Sequence, residues 1–73
     1  MKIDTLKDLG TLIRQRRKRE RMTIDMLAAM LPCSPRLLGE LERGVRNVSF
    51  EQVLAVCAML GIELTATGRE ESI

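Results

Sequence analysis

The sequence predicts an all-α fold: a compact domain of four short helices followed by one short C-terminal strand, in a chain of 73 residues. Three observations carry this. Apolar residues recur at helical spacing in four separate segments. The last three of those segments open on a hydroxyl residue suited to capping, Thr23, Ser34 and Ser49. Each of the same three meets a proline or glycine where it must stop, at Pro32, Gly44 and Gly61. A domain of this length buries roughly 60% of its unfolded surface and is marginal alone, so association with a second copy is expected.

The elements follow in order. Leu6, Leu9 and Ile13 share one face, with Leu12 beside them, and predict a first helix over about residues 5–19. Thr23 caps a second helix, and Asp25 in its first turn suits the helix dipole. Its apolar face is Leu27, Ala28 and Leu31; Met26 and Met30 are expected to fill gaps in the core, as is Met59 later, and Met22 to pack ahead of the helix. Ser34 caps a third helix with Pro35 at its first position, where a missing N–H costs nothing. Leu37, Leu38 and Leu41 point to its core side. Ser49 and Gln52 form a capping box at a fourth helix, with Phe50, Val53, Leu54, Cys57 and Leu60 as its expected buried stripe. Residues 62–67 then alternate as a strand does. One strand cannot exist alone. The simplest partner is the same strand of a second copy, a two-fold dimer that would also cover Met59 and Leu60. The expected organisation is one domain over 1–67, with the strand at 62–67, and a flexible tail over 68–73.

Composition narrows the function. The chain has no histidine, no paired carboxylates in an apolar setting, no glycine-rich phosphate loop and no nucleophile beside a base, so no enzyme is expected. Cys33 and Cys57 are far apart and form no CxxC pair; neither a metal nor any other cofactor is expected. Both read as small apolar residues in a reducing cytosol. Cys33, near a helix start that lowers thiol pKa, also admits a reactive reading, which we set below that of a space-filling turn residue. No long apolar run and no signal peptide is visible, so a cytoplasmic protein is expected.

The net charge of +2 hides a local excess. Arg14, Arg16, Arg17, Lys18, Arg19 and Arg21 crowd into one segment with only Glu20 against them. Such a run is either a solvated helix face or a patch that meets phosphates. Arg36, Arg43 and Arg46 favour the second reading if the fold brings them alongside. The joint Leu31-Pro32-Cys33-Ser34 is tight, and two short helices across it make a helix-turn-helix, whose second helix enters the DNA major groove. On this geometry Pro35, Arg36, Gly39 and Glu40 face outward. Arg36 suits guanine and Glu40 suits the cytosine amino group. Thr23 and Ser34, with the N–H groups beside them, suit phosphates, and Arg43, Arg46 and Asn47 the next phosphates along. Bound to DNA, the protein would be nucleoid-associated.

Leu9-Gly10, Ile13-Arg14-Gln15-Arg16-Arg17-Lys18, Met22-Thr23, Leu27-Ala28, Leu41-Glu42-Arg43-Gly44 and Arg46-Asn47-Val48-Ser49 together resemble the Xre/Cro-type, lambda-repressor-like helix-turn-helix family. The resemblance runs from about Thr5 to Ile62. The strand directly after the fourth helix resembles the HipB-type antitoxins of that family. This implies a homodimer that represses its own operon at a pseudo-palindromic operator and binds a HipA-like kinase toxin. It also implies an ion pair between Arg17 and Glu42. The residues agree, since Glu42 shares the core-facing side with Leu38 and Leu41, where a carboxylate needs a partner.

The chain departs from the family at three places. Ile24 stands where a glutamine usually holds phosphate, Pro35 opens the third helix in place of a polar residue, and Gly39 occupies a midpoint that often carries serine or glutamine. Gly39 costs roughly 1 kcal/mol against alanine in a helix, which close approach to the sugar-phosphate backbone, or a partial loss of base readout, would explain. Base readout then rests on Arg36 and Glu40, supported by phosphate contacts and DNA shape. Two alternatives stay open: a phage-type or general regulator without a toxin, and a protein-binding module on the same scaffold with weakened DNA readout.

Overall fold

The structure, a computed structural model, describes residues 2–31, 33–45 and 48–68. Among them are four helices: α1 over Leu6–Arg19, α2 over Ile24–Met30, α3 over Pro35–Arg43 and α4 over Phe50–Met59. Thr5 is the cap of α1 and not its first residue. Its hydroxyl accepts from the Asp8 N–H at 3.1 Å, and Asp8 accepts in return from the N–H groups of Asp4 and Thr5 at 2.9 and 3.1 Å. Thr23, Ser34 and Ser49 cap α2, α3 and α4 as their sequence positions predict. Pro32, the expected stop of α2, lies outside the described residues; the helix ends at Met30 with Leu31 as its C-cap.

The ends of α1, α3 and α4 share one hydrogen-bond pattern, in which a residue with left-handed backbone turns two N–H groups back onto the last turn. At α3 the donors are Val45 to Glu40 O (3.0 Å) and Gly44 to Leu41 O (3.1 Å); at α4 they are Ile62 to Cys57 O (2.8 Å) and Gly61 to Ala58 O (3.3 Å). At α1 they are Met22 to Arg17 O (3.1 Å) and Arg21 to Lys18 O (2.9 Å). The turning residue is glycine at two of these ends, with φ of 79° at Gly44 and 69° at Gly61, but arginine at the third, with φ of 57° at Arg21.

The core is Leu9, Ile13, Leu27, Ala28, Leu38, Leu41, Val53, Val56, Cys57 and Leu60, with Leu6, Met22, Ile24, Leu31, Cys33, Val48 and Ile62 packed at its margin. Four expectations need correction. The buried stripe of α4 is Val53, Val56, Cys57 and Leu60, while Phe50 and Leu54 are exposed. This helix is apolar on most of its circumference, so two overlapping stripes both satisfy helical spacing and only the packing of its neighbours selects one. Met26, Met30 and Met59 do not fill core gaps; all three are exposed. Leu60 belongs to the core of its own chain rather than to a surface awaiting a second copy. The strand expected at 62–67 is not formed among the described residues, where 62–68 lie outside any helix or strand. A lone segment has no neighbouring strand within one chain to supply its hydrogen bonds.

Helices α1 and α3 meet backbone to backbone. A Cβ on Gly10 would fall on the Leu41 carbonyl oxygen and 2.6 Å from that of Glu42. At Gly44 a Cβ would lie 2.7 Å from Lys7 Cα. Glycine at these two positions lets the C-terminal half of α3 lie against α1. The third helix is nine residues long, too short to hold its shape alone in water. Its conformation therefore comes from this contact.

Candidate nucleic-acid interface

The same contact is locked by charge. Arg17 donates from Nε to Glu42 Oε2 at 2.6 Å and from Nη2 to Glu42 Oε1 at 3.0 Å, a bidentate pair. Its remaining nitrogen Nη1 donates to the Met22 carbonyl at 2.8 Å, so one guanidinium ties α1 to both α3 and the corner before α2. The two side chains are 9% and 5% exposed. The hydrogen bonds it donates to Glu42 push the Arg17 pKa above its ordinary value against the cost of burial. No buried side-chain polar atom among the described residues lacks a partner.

Arg16 also has an internal role. Its Nε and Nη2 donate to the Leu60 carbonyl at 3.3 and 3.0 Å, which satisfies the C-terminal end of α4. The six cations of the basic run thus divide. Arg16 and Arg17 hold the fold, while Arg14, Lys18, Arg19 and Arg21 are exposed.

The fold brings two of those exposed cations beside α3. A groove of about 660 Å³ runs between α1 and α3, lined by Lys7, Thr11, Arg14, Gln15, Lys18, Glu42 and Arg43. A smaller one, of about 260 Å³, is lined by Arg14, Arg17, Ile24, Gly39, Glu42 and Arg43. Glu42 is matched by Arg17, so Lys7, Arg14, Lys18 and Arg43 leave this face cationic. Arg43 is therefore alongside the basic run, as the phosphate reading requires. Arg46 and Asn47 lie outside the described residues.

The outer face of α3 has fewer side chains than its sequence suggests. Pro35 and Arg36 are exposed. Arg36 Nε lies 3.6 Å from Glu40 Oε2, with side-chain exposures of 87% and 26%. Gly39 was expected to face outward and is instead buried. The reason is Arg43, whose Nη1 lies 3.4 Å from where a Gly39 Cβ would sit and covers that turn of the helix. Apart from its chain neighbours and the helix's own backbone, no other atom of the described residues comes within 4 Å of that point, so no packing contact among them requires glycine there. Leu37 is half-buried.

The caps contribute donors. Thr23 Oγ1 accepts from Met26 N–H at 3.1 Å and Ser34 Oγ from Leu37 N–H at 3.0 Å. Helix geometry leaves the N–H groups of Ile24 and Asp25 free at α2 and that of Arg36 at α3, since Pro35 has none. The Asp25 carboxylate stands in the same first turn of α2 and opposes an anion there.

Burial pushes the Cys33 thiol up, as it does that of Cys57, which disfavours the thiolate that a reactive cysteine needs. Among the described residues no group of three or more His, Cys, Asp or Glu side chains is placed to hold a metal ion. No helix among them is long and apolar enough to cross a membrane.

Sequence reasoning missed Gly10, Arg16 and Arg21. Gly10 left a signal, a glycine inside a helix where propensity disfavours it. Arg16 left none, because its partner is a backbone carbonyl at the far end of the chain.

A family model described as a helix-turn-helix domain matches residues 8–69. No curated protein matches the chain. With two capped short helices joined across a tight turn, and the second held against a basic first helix, the chain belongs to the helix-turn-helix domain family.

Proposed function

We propose that the protein is a sequence-specific transcriptional repressor of the Xre type that binds a pseudo-palindromic operator as a homodimer. The observation that carries this is the mounting of α3. Gly10, Gly44 and the Arg17–Glu42 pair fasten its inner side, and a cationic groove containing Arg14, Lys18 and Arg43 runs beside it. The N-terminal half of α3 enters the major groove with Arg36 and Glu40 at base edges. Thr23, Ser34, Pro35, Arg43, Arg46 and Asn47 meet the backbone around it. It acts in the cytoplasm without catalysis.

The dimer pairs residues 62–67 of two copies as strands, a reading supported by their alternation and by the exposed Met59 and Leu64 that the pairing would cover. It sets the two α3 helices roughly 34 Å apart, one turn of DNA. The likeness of this C-terminal segment to that of HipB-type antitoxins extends the proposal: the protein neutralises a HipA-like kinase toxin and represses the operon encoding both. A general regulator without a toxin is the alternative, and a kinase-like reading frame beside this one separates the two.

The test is a gel shift on the DNA upstream of the protein's own reading frame. If Arg14, Lys18, Arg43 and Arg46 of both protomers each meet a phosphate, about eight contacts give a slope of log K against log salt near −7. No binding at low salt would instead support a protein-binding module on this scaffold.

A further inference from the structure

We propose that Arg36 and Glu40 read a single G·C base pair as one ion-paired unit, an inference that rests on α3 entering the major groove. The two residues are one helical turn apart, with Arg36 Nε 3.6 Å from Glu40 Oε2. The contact is made through Nε, and no hydrogen bond among the described residues occupies the terminal nitrogens Nη1 and Nη2. Glu40 is the less exposed member of the pair. A carboxylate on a surface that approaches a polyanion is repelled unless a cation and a donor both meet it. Arg36 is the cation. The donor must come from a base.

The major-groove edge of G·C supplies the matching row. Guanine offers two acceptors, N7 and O6, and the cytosine N4 amino group, adjacent to O6, keeps one hydrogen free of base pairing. Nη1 and Nη2 of Arg36 donate to N7 and O6, Glu40 accepts from N4, and the Arg36–Glu40 contact stays intact across the pair. No proton changes hands. The other three base pairs are ranked by the same chemistry. T·A keeps the central order, the thymine O4 acceptor followed by the adenine N6 donor, but places a methyl group where N7 stood. A·T and C·G reverse that order, which sets Arg36 against an amino group and Glu40 against an acceptor. The expected order is G·C first, T·A second, and A·T with C·G last. An arginine reading alone has no reason to place T·A second.

The experiment begins with the full chain selecting from a random-sequence duplex library, which gives a site. The base pair under α3 is then set to each of its four forms, and Kd is measured for the wild type, Arg36→Ala, Glu40→Ala, Glu40→Gln and the double alanine variant, with thermal melts to check that each is folded. The wild type is expected to favour G·C over A·T and C·G by roughly 5- to 150-fold, with T·A between. Each single alanine variant should abolish the order, and the double variant should discriminate no worse than either single. Glu40→Gln should lose the advantage of T·A over A·T. The proposal is overturned if Glu40→Ala binds all four duplexes more tightly by one common factor and keeps the order, because the carboxylate is then only a repulsive charge. A wild type that binds duplexes with steep salt dependence but selects no sequence also overturns it, while leaving DNA binding standing. A wild type that binds no duplex at all overturns both readings.

Discussion

Replacing Arg17 by alanine removes a guanidinium that makes three hydrogen bonds, two to Glu42 and one to the Met22 carbonyl. What remains is a carboxylate with a 5% exposed side chain that has lost the cation paired with it. Breaking a buried pair from one side costs about 3–5 kcal/mol, most of it the desolvation of the charge left behind. A domain of this length has a total stability of roughly 4–11 kcal/mol, so the loss is a large part of the whole. At roughly 4–8 °C per kcal/mol the melting temperature should fall by about 12–40 °C. Thermal and urea melts followed by far-UV circular dichroism measure it. A companion variant separates charge burial from packing. Arg17→Met combined with Glu42→Leu removes both charges and fills the space, and it should recover most of the lost stability. The raised pKa of Arg17 keeps its own contribution complete at every pH below its ordinary value, so the effect should not fade between neutral and mildly alkaline pH. An Arg17→Ala variant that melts where the wild type does would refute the role given to this pair.

Four further outcomes are expected. Gly10→Ala adds a methyl group where the Leu41 and Glu42 carbonyls already stand, and urea titration should show a loss of about 1–3 kcal/mol despite the better helix propensity of alanine; Gly39→Ala meets only the tip of Arg43 and should gain about 1 kcal/mol. Arg21→Gly relieves a left-handed backbone that costs a side-chain residue about 1–2 kcal/mol, so it should raise the melting temperature by several degrees once the entropy of glycine is subtracted. Asp8 is held below its ordinary value of 3.8, chiefly by the Asp4 and then the Thr5 N–H groups. Its contribution is present above that pH and lost as pH falls through the depressed value, and Asp8→Asn should flatten this part of the acid limb of a pH–stability curve. In binding titrations Arg36→Ala should remove about 1–3 kcal/mol of discrimination at one base position, whereas Arg43→Ala should weaken all duplexes alike and lower the salt slope.

Much of this molecule is legible before its coordinates. The hydroxyl caps at Thr23, Ser34 and Ser49 and the glycine stops at Gly44 and Gly61 are local, because capping chemistry acts within a few residues. The Arg17–Glu42 pair is also legible, since a carboxylate on the apolar side of α3 demands a cation and the family resemblance says which one. What escapes is decided between elements. Phe50 and Leu54 share helical spacing with the true stripe of α4, and only the packing of the other three helices turns Val56 inward in their place. Gly39 looks outward on a helical wheel, but a wheel does not show the Arg43 side chain folding back over it. The basic run looks uniform in sequence, yet Arg16 caps α4 and Arg17 pairs with α3, so a third of its cations do not face solvent. The exposed remainder is what the candidate interface retains.

The central claim is that α3 reads the major groove twice, once from each protomer. Dimethyl sulfate methylates guanine N7, an atom on the major-groove edge. Its protection pattern on the bound operator tests that claim most directly. The account predicts two clusters of protected guanines on one face of the duplex, about 10 base pairs apart, with protection at the Arg36 positions lost in Arg36→Ala. Bound DNA whose guanine N7 atoms remain fully reactive would contradict it.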